Sequence, residues 1–187
     1  ENNIFENCNS INSITIPNST LTIKDCAFKD CSSLINIIIP NNVTNIGSYA
    51  FSNSNIQNII IPDNVTYMGD SIFEGCNSLS SVTLPENESI TCVPINTFYN
   101  CTSLKSIVLF DTITTINSSA FYNCNNLESL TISKTVQYIQ ENAFYDCNNL
   151  KYIYYYGNES EWNIINIENG NDTLTFEKVV NIFTYAV

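Results

Sequence analysis

Seven phenylalanines, Phe5, Phe28, Phe51, Phe73, Phe98, Phe121 and Phe144, recur at separations of 23, 23, 22, 25, 23 and 23 residues. A self-similar period of this length marks a stack of like units, each burying its face on the next, and not a globule closed on itself. The segment FYNCNNLESLTISKTVQYIQENAF, from Phe121 to Phe144, is the type unit. A second set stays in register inside it. Leucine or isoleucine stands six residues after the Phe (Ile11, Leu34, Leu79, Leu104, Leu127, Leu150), with apolar residues three and five positions further on, as in Ile37 and Ile39 or Leu130 and Ile132. The third unit is one residue short, and Ile56, Ile59 and Ile61 take these places.

The alternation at the end of this pattern sends the last apolar pair to one side of a strand and the residues between to the other. One short strand per unit is therefore predicted. Pro17, Pro40, Pro62 and Pro85 follow it, where a residue without an N–H closes a ladder. A further apolar pair recurs (Val43 and Ile46, Val65 and Met68, Ile113 and Ile116, Val136 and Ile139) before the alanine that precedes the next Phe. This back half reads as turns, with a helical turn at most.

The unit AFYNCNNLESLTISKTVQYIQENAF resembles the leucine-rich repeat of the BspA-like type, found in bacterial and protist surface proteins, and the resemblance runs over residues 5 to 157. It implies a right-handed leucine-rich-repeat solenoid, with a parallel β-sheet on the concave face and turns and short helical or 3-10 segments on the convex face. Crossovers between parallel strands are right-handed in nearly all cases. Several positions depart from the pattern: Ser54 replaces the expected Cys, Ile72 and Thr97 replace the small Ala, and residues 86–94 lengthen the fourth unit.

Residues 1–157 divide into about six to seven units, and the first opens partway through its pattern, which reads as an N-terminally truncated array. Residues 158–187 read as a capping segment, with a short helix starting near Ser160, Glu161 in its first turn, and a final strand from Val179 to Tyr185. Gly157 and Trp162 resemble the G-x-x-x-x-W end-piece of the same family, so Trp162 is assigned to packing within the cap. A stack needs such a piece, because its last coil otherwise exposes an apolar edge and unpaired strand groups.

The 18 acidic against 6 basic residues exclude nucleic acid, whose phosphates require a basic patch. The charge reads as a solvated exterior. A calcium site is the sharper alternative, but Asp63, Asp70, Glu74, Glu86, Glu88 and Asp111 are scattered and form no D-x-D-x-D-G loop. No apolar run approaches the roughly 20 residues of a membrane span, so direct insertion by this fragment is not expected.

Cys8, Cys31, Cys76, Cys101, Cys124 and Cys147 each lie three residues after an anchor Phe, so they are repeat positions. With no histidine in the chain and no C-x-x-C cluster, a zinc site is disfavoured. The position is expected to act as a small buried hydrophobe whose S–H reaches a neighbouring carbonyl. Coils stacked about 4.8 Å apart put Cys101, Cys124 and Cys147 within conceivable disulfide reach, yet three equivalent thiols cannot pair evenly. Cys26 and Cys92 fall outside this series and receive no assignment. Eight N-x-S/T sequons (Asn18, Asn42, Asn64, Asn87, Asn100, Asn117, Asn158, Asn171) read mainly as accidents of an Asn-rich chain, the alternative being glycans on the exposed ones.

Catalytic constellations are missing from the sequence. Without histidine there is no Ser-His-Asp or Cys-His pair, and no nucleotide-binding glycine motif appears. No enzyme, cofactor or metal is expected. What remains is the surface of the strands, where Thr15, Ile38, Ile60, Thr83, Val108, Thr131 and Tyr154 form one outward column and Tyr152 joins Tyr154 at its end. Strand propensity alone accounts for β-branched residues there. The functional alternative is a weakly charged binding strip with Ile38, Ile60, Thr83, Val108, Thr131, Tyr152 and Tyr154 as its contacts. A second column, Tyr99, Tyr122 and Tyr145, reads as stacking between units.

The leading expectation is a non-catalytic extracellular or cell-surface binding module, monomeric, taking a protein or glycan partner. A host-surface or matrix partner is what the family resemblance implies. The competing class is a spacer that holds another domain outward and has no ligand. Intact mass of the native protein should correspond to eight free thiols; a mass deficit equivalent to several S–S bonds would overturn the packing role given to the cysteines.

Overall fold

In the computed structural model, which describes residues 2–181, each unit closes into one coil carrying two short strands. They are β1 (Ser13–Thr15), β2 (Thr22–Ile23), β3 (Asn36–Ile38), β4 (Asn45–Ile46), β5 (Asn58–Ile60), β6 (Tyr67–Met68), β7 (Ser81–Thr83), β8 (Cys92–Val93), β9 (Ser106–Val108), β10 (Thr115–Ile116), β11 (Ser129–Ile132), β12 (Tyr138–Ile139), β13 (Tyr152–Tyr155), β14 (Asn166–Ile167) and β15 (Val179–Asn181). A short α-helix, α1 (Glu159–Trp162), lies between β13 and β14, and a 3-10 helix, Phe176–Lys178, precedes β15. Odd-numbered strands build a front sheet and even-numbered strands a back sheet, all pairs being parallel.

Pairing joins equivalent positions without slippage: Ile14 lies opposite Ile37, Ile59 opposite Val82, and Leu130 between Ile107 and Ile153. The middle residue of each front strand is directed inward and its two neighbours outward, the alternation the sequence predicts. The back half is expected to hold turns with a helical turn at most, and here the structure adds a ladder. Ile23, Ile46, Met68, Val93, Ile116 and Ile139 end two-residue strands. Two residues are too few to show a period, so only the partner in the next coil makes them a strand. Both sheets are interrupted where the units are irregular. The front sheet breaks between β3 and β5, at the unit one residue short, and between β7 and β9; the back sheet breaks between β6 and β8. The last two breaks flank the lengthened segment 86–94.

The third corner of each coil holds the anchor Phe. Rings of successive units stack at centroid distances of 5.3, 5.5, 5.6, 5.7, 5.1 and 4.9 Å, close to the strand spacing of about 4.8 Å. The backbone is held there by a ladder of its own. Asn96, Phe98 and Asn100 donate their N–H groups to the carbonyls of Ser118, Ala120 and Tyr122 in the next coil, at 3.2, 2.7 and 2.8 Å. Alternate donors point one way because residues two before and two after the Phe adopt positive φ, as in Ser119 (55°) and Asn123 (58°) around Phe121. Asn is the non-glycine residue best tolerated there. Seven of the 13 positive-φ non-glycine positions among the described residues are Asn. Their amides also pair along the stack, Asn123 Nδ2 donating to Asn100 Oδ1 at 2.7 Å and Asn53 Nδ2 to Asp30 Oδ1 at 2.8 Å. The fourth unit has Gly75 in this place, and a Cβ there would meet the Asn53 amide.

The departures noted in the sequence leave the corner intact. Ile72 and Thr97 are fully buried in the Ala position, and their carbonyls accept the N–H groups of Phe51 and Phe73 at 3.0 Å each. Ser54 fills the Cys position, its hydroxyl 3.4 Å from the sulfur of Cys76.

At the C-terminal end the next coil is imitated by side chains. Asn171 Oδ1 accepts the N–H of Phe144 at 2.9 Å, and Thr173 Oγ1 donates to the Phe144 carbonyl at 3.1 Å. The Asn171 amide also donates to the carbonyls of Gln140 and Glu168, and the residue is buried. Trp162 is buried too, its ring edge-on to Tyr155 at 5.3 Å. The helix is capped by Asn158 and not by Ser160, which lies inside it. Asn158 stands three residues before Glu161, so the two exchange backbone bonds at 3.0 and 2.8 Å as a capping box, whereas Ser160 has Asn163 at that spacing. Of the strand expected over Val179 to Tyr185, Val179–Asn181 pair with β13, and the remainder lies outside the described residues.

Asn171→Ala removes the acceptor of the Phe144 N–H and the side-chain donor to the Glu168 carbonyl, while the Gln140 carbonyl keeps the Ala143 N–H, and should cost about 2–4 kcal/mol in urea unfolding. Hydrogen exchange should accelerate first at Phe144; uniform exchange along the chain would show that Asn171 seals nothing.

Candidate functional site

The front strands direct Thr15, Ile38, Ile60, Thr83, Val108, Thr131 and Tyr154 to solvent from equivalent positions, Thr15 beside Ile38, Ile60 beside Thr83, and Thr131 between Val108 and Tyr154. Strand geometry forces this, since the residues between them fill the interior. Ile38 is 82% exposed and Ile60 68%, values uncommon for isoleucine in a strand. Val108 and Tyr152 are about half exposed, while Thr131 and Tyr154 are partly covered. Tyr152 and Tyr154 lie on the same side of β13 with ring centroids 6.3 Å apart.

The first three coils enclose a groove of about 900 Å³ on this face, and Thr15, Ile38 and Ile60 line it. Thr83, Val108, Thr131, Tyr152 and Tyr154 are outside it, so the column of the sequence divides into a grooved part and an open part. Asn18, Asn41, Pro40 and Pro62 form part of the groove wall and were not among the expected contacts. Their signal was the constant place after each strand, which the sequence also explains as chain punctuation. Charge is sparse on this face. The outward residues of the first four front strands carry none, and the later ones add Lys105, Glu128 and Lys151. Lys151 Nζ stands 3.9 Å from Glu128 Oε2, both well exposed, an ion pair of little energetic weight.

No array of acid, base and nucleophile is assembled among the described residues of this face. The tyrosines of the second column stack at 4.7 Å (Tyr99 on Tyr122) and 4.9 Å (Tyr122 on Tyr145), as expected of contacts between units. Several sequons have structural duties: Asn171 is buried, Asn158 caps the helix, Asn100 accepts the bond from Asn123, and the amides of Asn42, Asn64 and Asn87 donate to backbone carbonyls of the preceding coil. No group of three or more His, Cys, Asp or Glu side chains able to hold a metal ion occurs among the described residues. No helix among them is long and apolar enough to cross a membrane.

The sequence matches the BspA type leucine rich repeat region, in six copies, over residues 1–92 and 87–169. No curated protein matches it. Among solved structures it is similar to a leucine-rich repeat protein from Eubacterium ventriosum, at 25% identity over 95% of this chain and 45% of that one, with a TM-score of 0.71. It is also similar to a leucine-rich repeat protein from Bacteroides ovatus (28% identity, 81% and 51% coverage, TM-score 0.55). A leucine rich cell surface protein from Faecalibacterium prausnitzii shares the fold at 24% identity, with 90% and 66% coverage and a TM-score of 0.54. The chain thus spans between about half and two thirds of the length of these proteins.

Inside the coils the thiols are structural donors. Cys31, Cys76, Cys101, Cys124 and Cys147 donate S–H to the carbonyls of Phe5, Phe51, Phe73, Phe98 and Phe121 in the preceding coil, at 3.1 to 3.2 Å. Burial pushes Cys76 up to about 11 and Cys147 to about 12, and holds Cys101 and Cys124 well above the ordinary thiol value. Nucleophiles and metal ligands need the thiolate, so these groups offer neither. Cys26 and Cys92 now have places: the first has positive φ (54°) two residues before Phe28, and the second pairs with Thr115 in the back ladder.

Such thiols couple stability to pH. Between the ordinary value of 9.0 and the folded values near 11 and 12 the unfolded chain holds fewer protons than the folded one. Stability from these groups is complete below pH 9 and declines above it, by up to about 1.4 kcal/mol per pH unit for each thiol. Urea midpoints measured from pH 8 to 11 should fall, and Cys124→Ala should flatten the slope; an unchanged slope would remove the thiols from the account.

Proposed function

The chain belongs to the BspA-type leucine-rich repeat family, and from that premise we propose that it is a non-catalytic extracellular binding module that presents its front face to a protein on another surface. One observation carries the reading: Ile38 and Ile60, on adjacent strands, are 82% and 68% exposed and share a groove of about 900 Å³. Apolar side chains exposed together along one groove are a usual mark of a recognition surface. Tyr152 and Tyr154 extend it at the far end with contact area of low entropic cost. The name of the Faecalibacterium protein, a cell surface protein, supports the location.

A spacer without a ligand would need the stacked interior and nothing on the front. The triple variant Ile60→Lys, Val108→Lys, Tyr154→Lys separates the two roles. Attachment to immobilised extracellular matrix or to epithelial monolayers should fall at least tenfold with an unchanged melting temperature. Equal attachment by the variant would sink the binding role and leave the spacer.

A further inference from the structure

The acidic residues are distributed unevenly about the front face. Each of these front strands is followed, three residues after its outward column position, by a rim residue: Asp63 after Ile60, Glu86 after Thr83, Asp111 after Val108. In the two coils before these the same rim position is Asn18 and Asn41, and both line the front groove together with Ile38 and Ile60. The rim therefore borders the same surface as the apolar column. Asp63 and Glu86 are neighbours on successive coils, since Asp63 Oδ1 accepts the Glu86 N–H at 2.9 Å. All three carboxylate residues are exposed, and Lys134 ends the acidic run one coil later. Two rows thus run side by side along the stack, one uncharged and mainly apolar (Ile38, Ile60, Thr83, Val108), the other bearing a negative charge on each of three consecutive coils.

Resting on the front-face reading above, we infer that the occupant is an extended polypeptide segment in which lysine or arginine alternates with apolar residues, its apolar side lying over Ile38, Ile60 and Val108 and its cations over Asp63, Glu86 and Asp111. An acidic segment would meet repulsion from this rim and from a chain of net charge −12. A wholly apolar segment would leave the rim charges facing a low-dielectric partner, at a desolvation cost. An extended segment puts successive side chains on opposite sides, so alternation presents one apolar edge and one basic edge to the two rows. The long lysine and arginine stems can reach past the column to the rim while their heads stay in water.

The probes are three labelled ten-residue peptides, alternating Lys with Val, Ser with Val, and Glu with Val, titrated with the whole chain by fluorescence anisotropy. The Lys/Val peptide should bind, the Ser/Val peptide at least tenfold more weakly, and the Glu/Val peptide weakest. Binding of Lys/Val should weaken at least tenfold in Asp63→Asn, Glu86→Gln, Asp111→Asn, which keeps the oxygen that accepts the Glu86 N–H. A control with equal charge removed elsewhere, Glu141→Gln, Asp146→Asn, Asp172→Asn, should change it less than threefold. An equal loss in the control would reduce the effect to net charge and overturn the rim assignment. Should Ser/Val or Glu/Val bind as tightly as Lys/Val, with Ile38→Ser, Ile60→Ser still weakening all three, the basic partner is refuted while the front face stands. If Ile38→Ser, Ile60→Ser changes nothing, the front-face reading itself fails.

Discussion

Everything in this molecule depends on a corner of backbone that cannot satisfy itself. At each anchor Phe the chain turns with donors aimed along the stack, and only the carbonyls of the next coil can receive them. A buried N–H left without a partner costs more than a typical bond returns, so each coil is tied to its successor. Positive φ on both sides of the Phe makes this alignment possible, and Asn supplies it at low strain. Ring stacking, strand pairing and the S–H bonds all share the same spacing, so the interior is one set of columns repeated by translation.

That translational logic also decides which chemistry is open to the chain. The anchor phenyl rings, the repeat leucines and most thiols are consumed inside, and burial keeps the thiols protonated. Charged groups stay at the edges. The front face is left with exposed Ile38 and Ile60, partly exposed tyrosines and a row of acids on one rim. These groups can act on another molecule through contact area and charge. Irregular units are absorbed as breaks in the ladders, while the Phe column passes through them with centroid separations below 6 Å.

The last described coil departs from this translation. Asn171 and Thr173 give Phe144 what Ala143 and Cys147 give Phe121 in the unit before, an acceptor for its N–H and a donor for its carbonyl. Glu168 extends the imitation by accepting the Glu141 N–H at 2.9 Å. An amide side chain can play the part of a peptide because it carries the same donor and acceptor. The pair resembled a glycosylation sequon in the sequence, and burial explains it better.

The solenoid, its strand positions, the inward columns and the packing role of Phe, Leu and Cys were all legible in the sequence, because a period repeated seven times needs no tertiary information to be seen. So was the outward column, since alternation alone says which residues face away from the core. The back ladder, the αL corners that place Cys26 and several of the asparagines, the capping by Asn158 and the groove walls Asn18 and Asn41 were not. Each of these depends on what the neighbouring coil offers: a two-residue strand exists only beside its partner, and a rim residue lines a groove only once the coils are stacked. The order of the units was written in the chain, and the relations between them were decided by their contact in space.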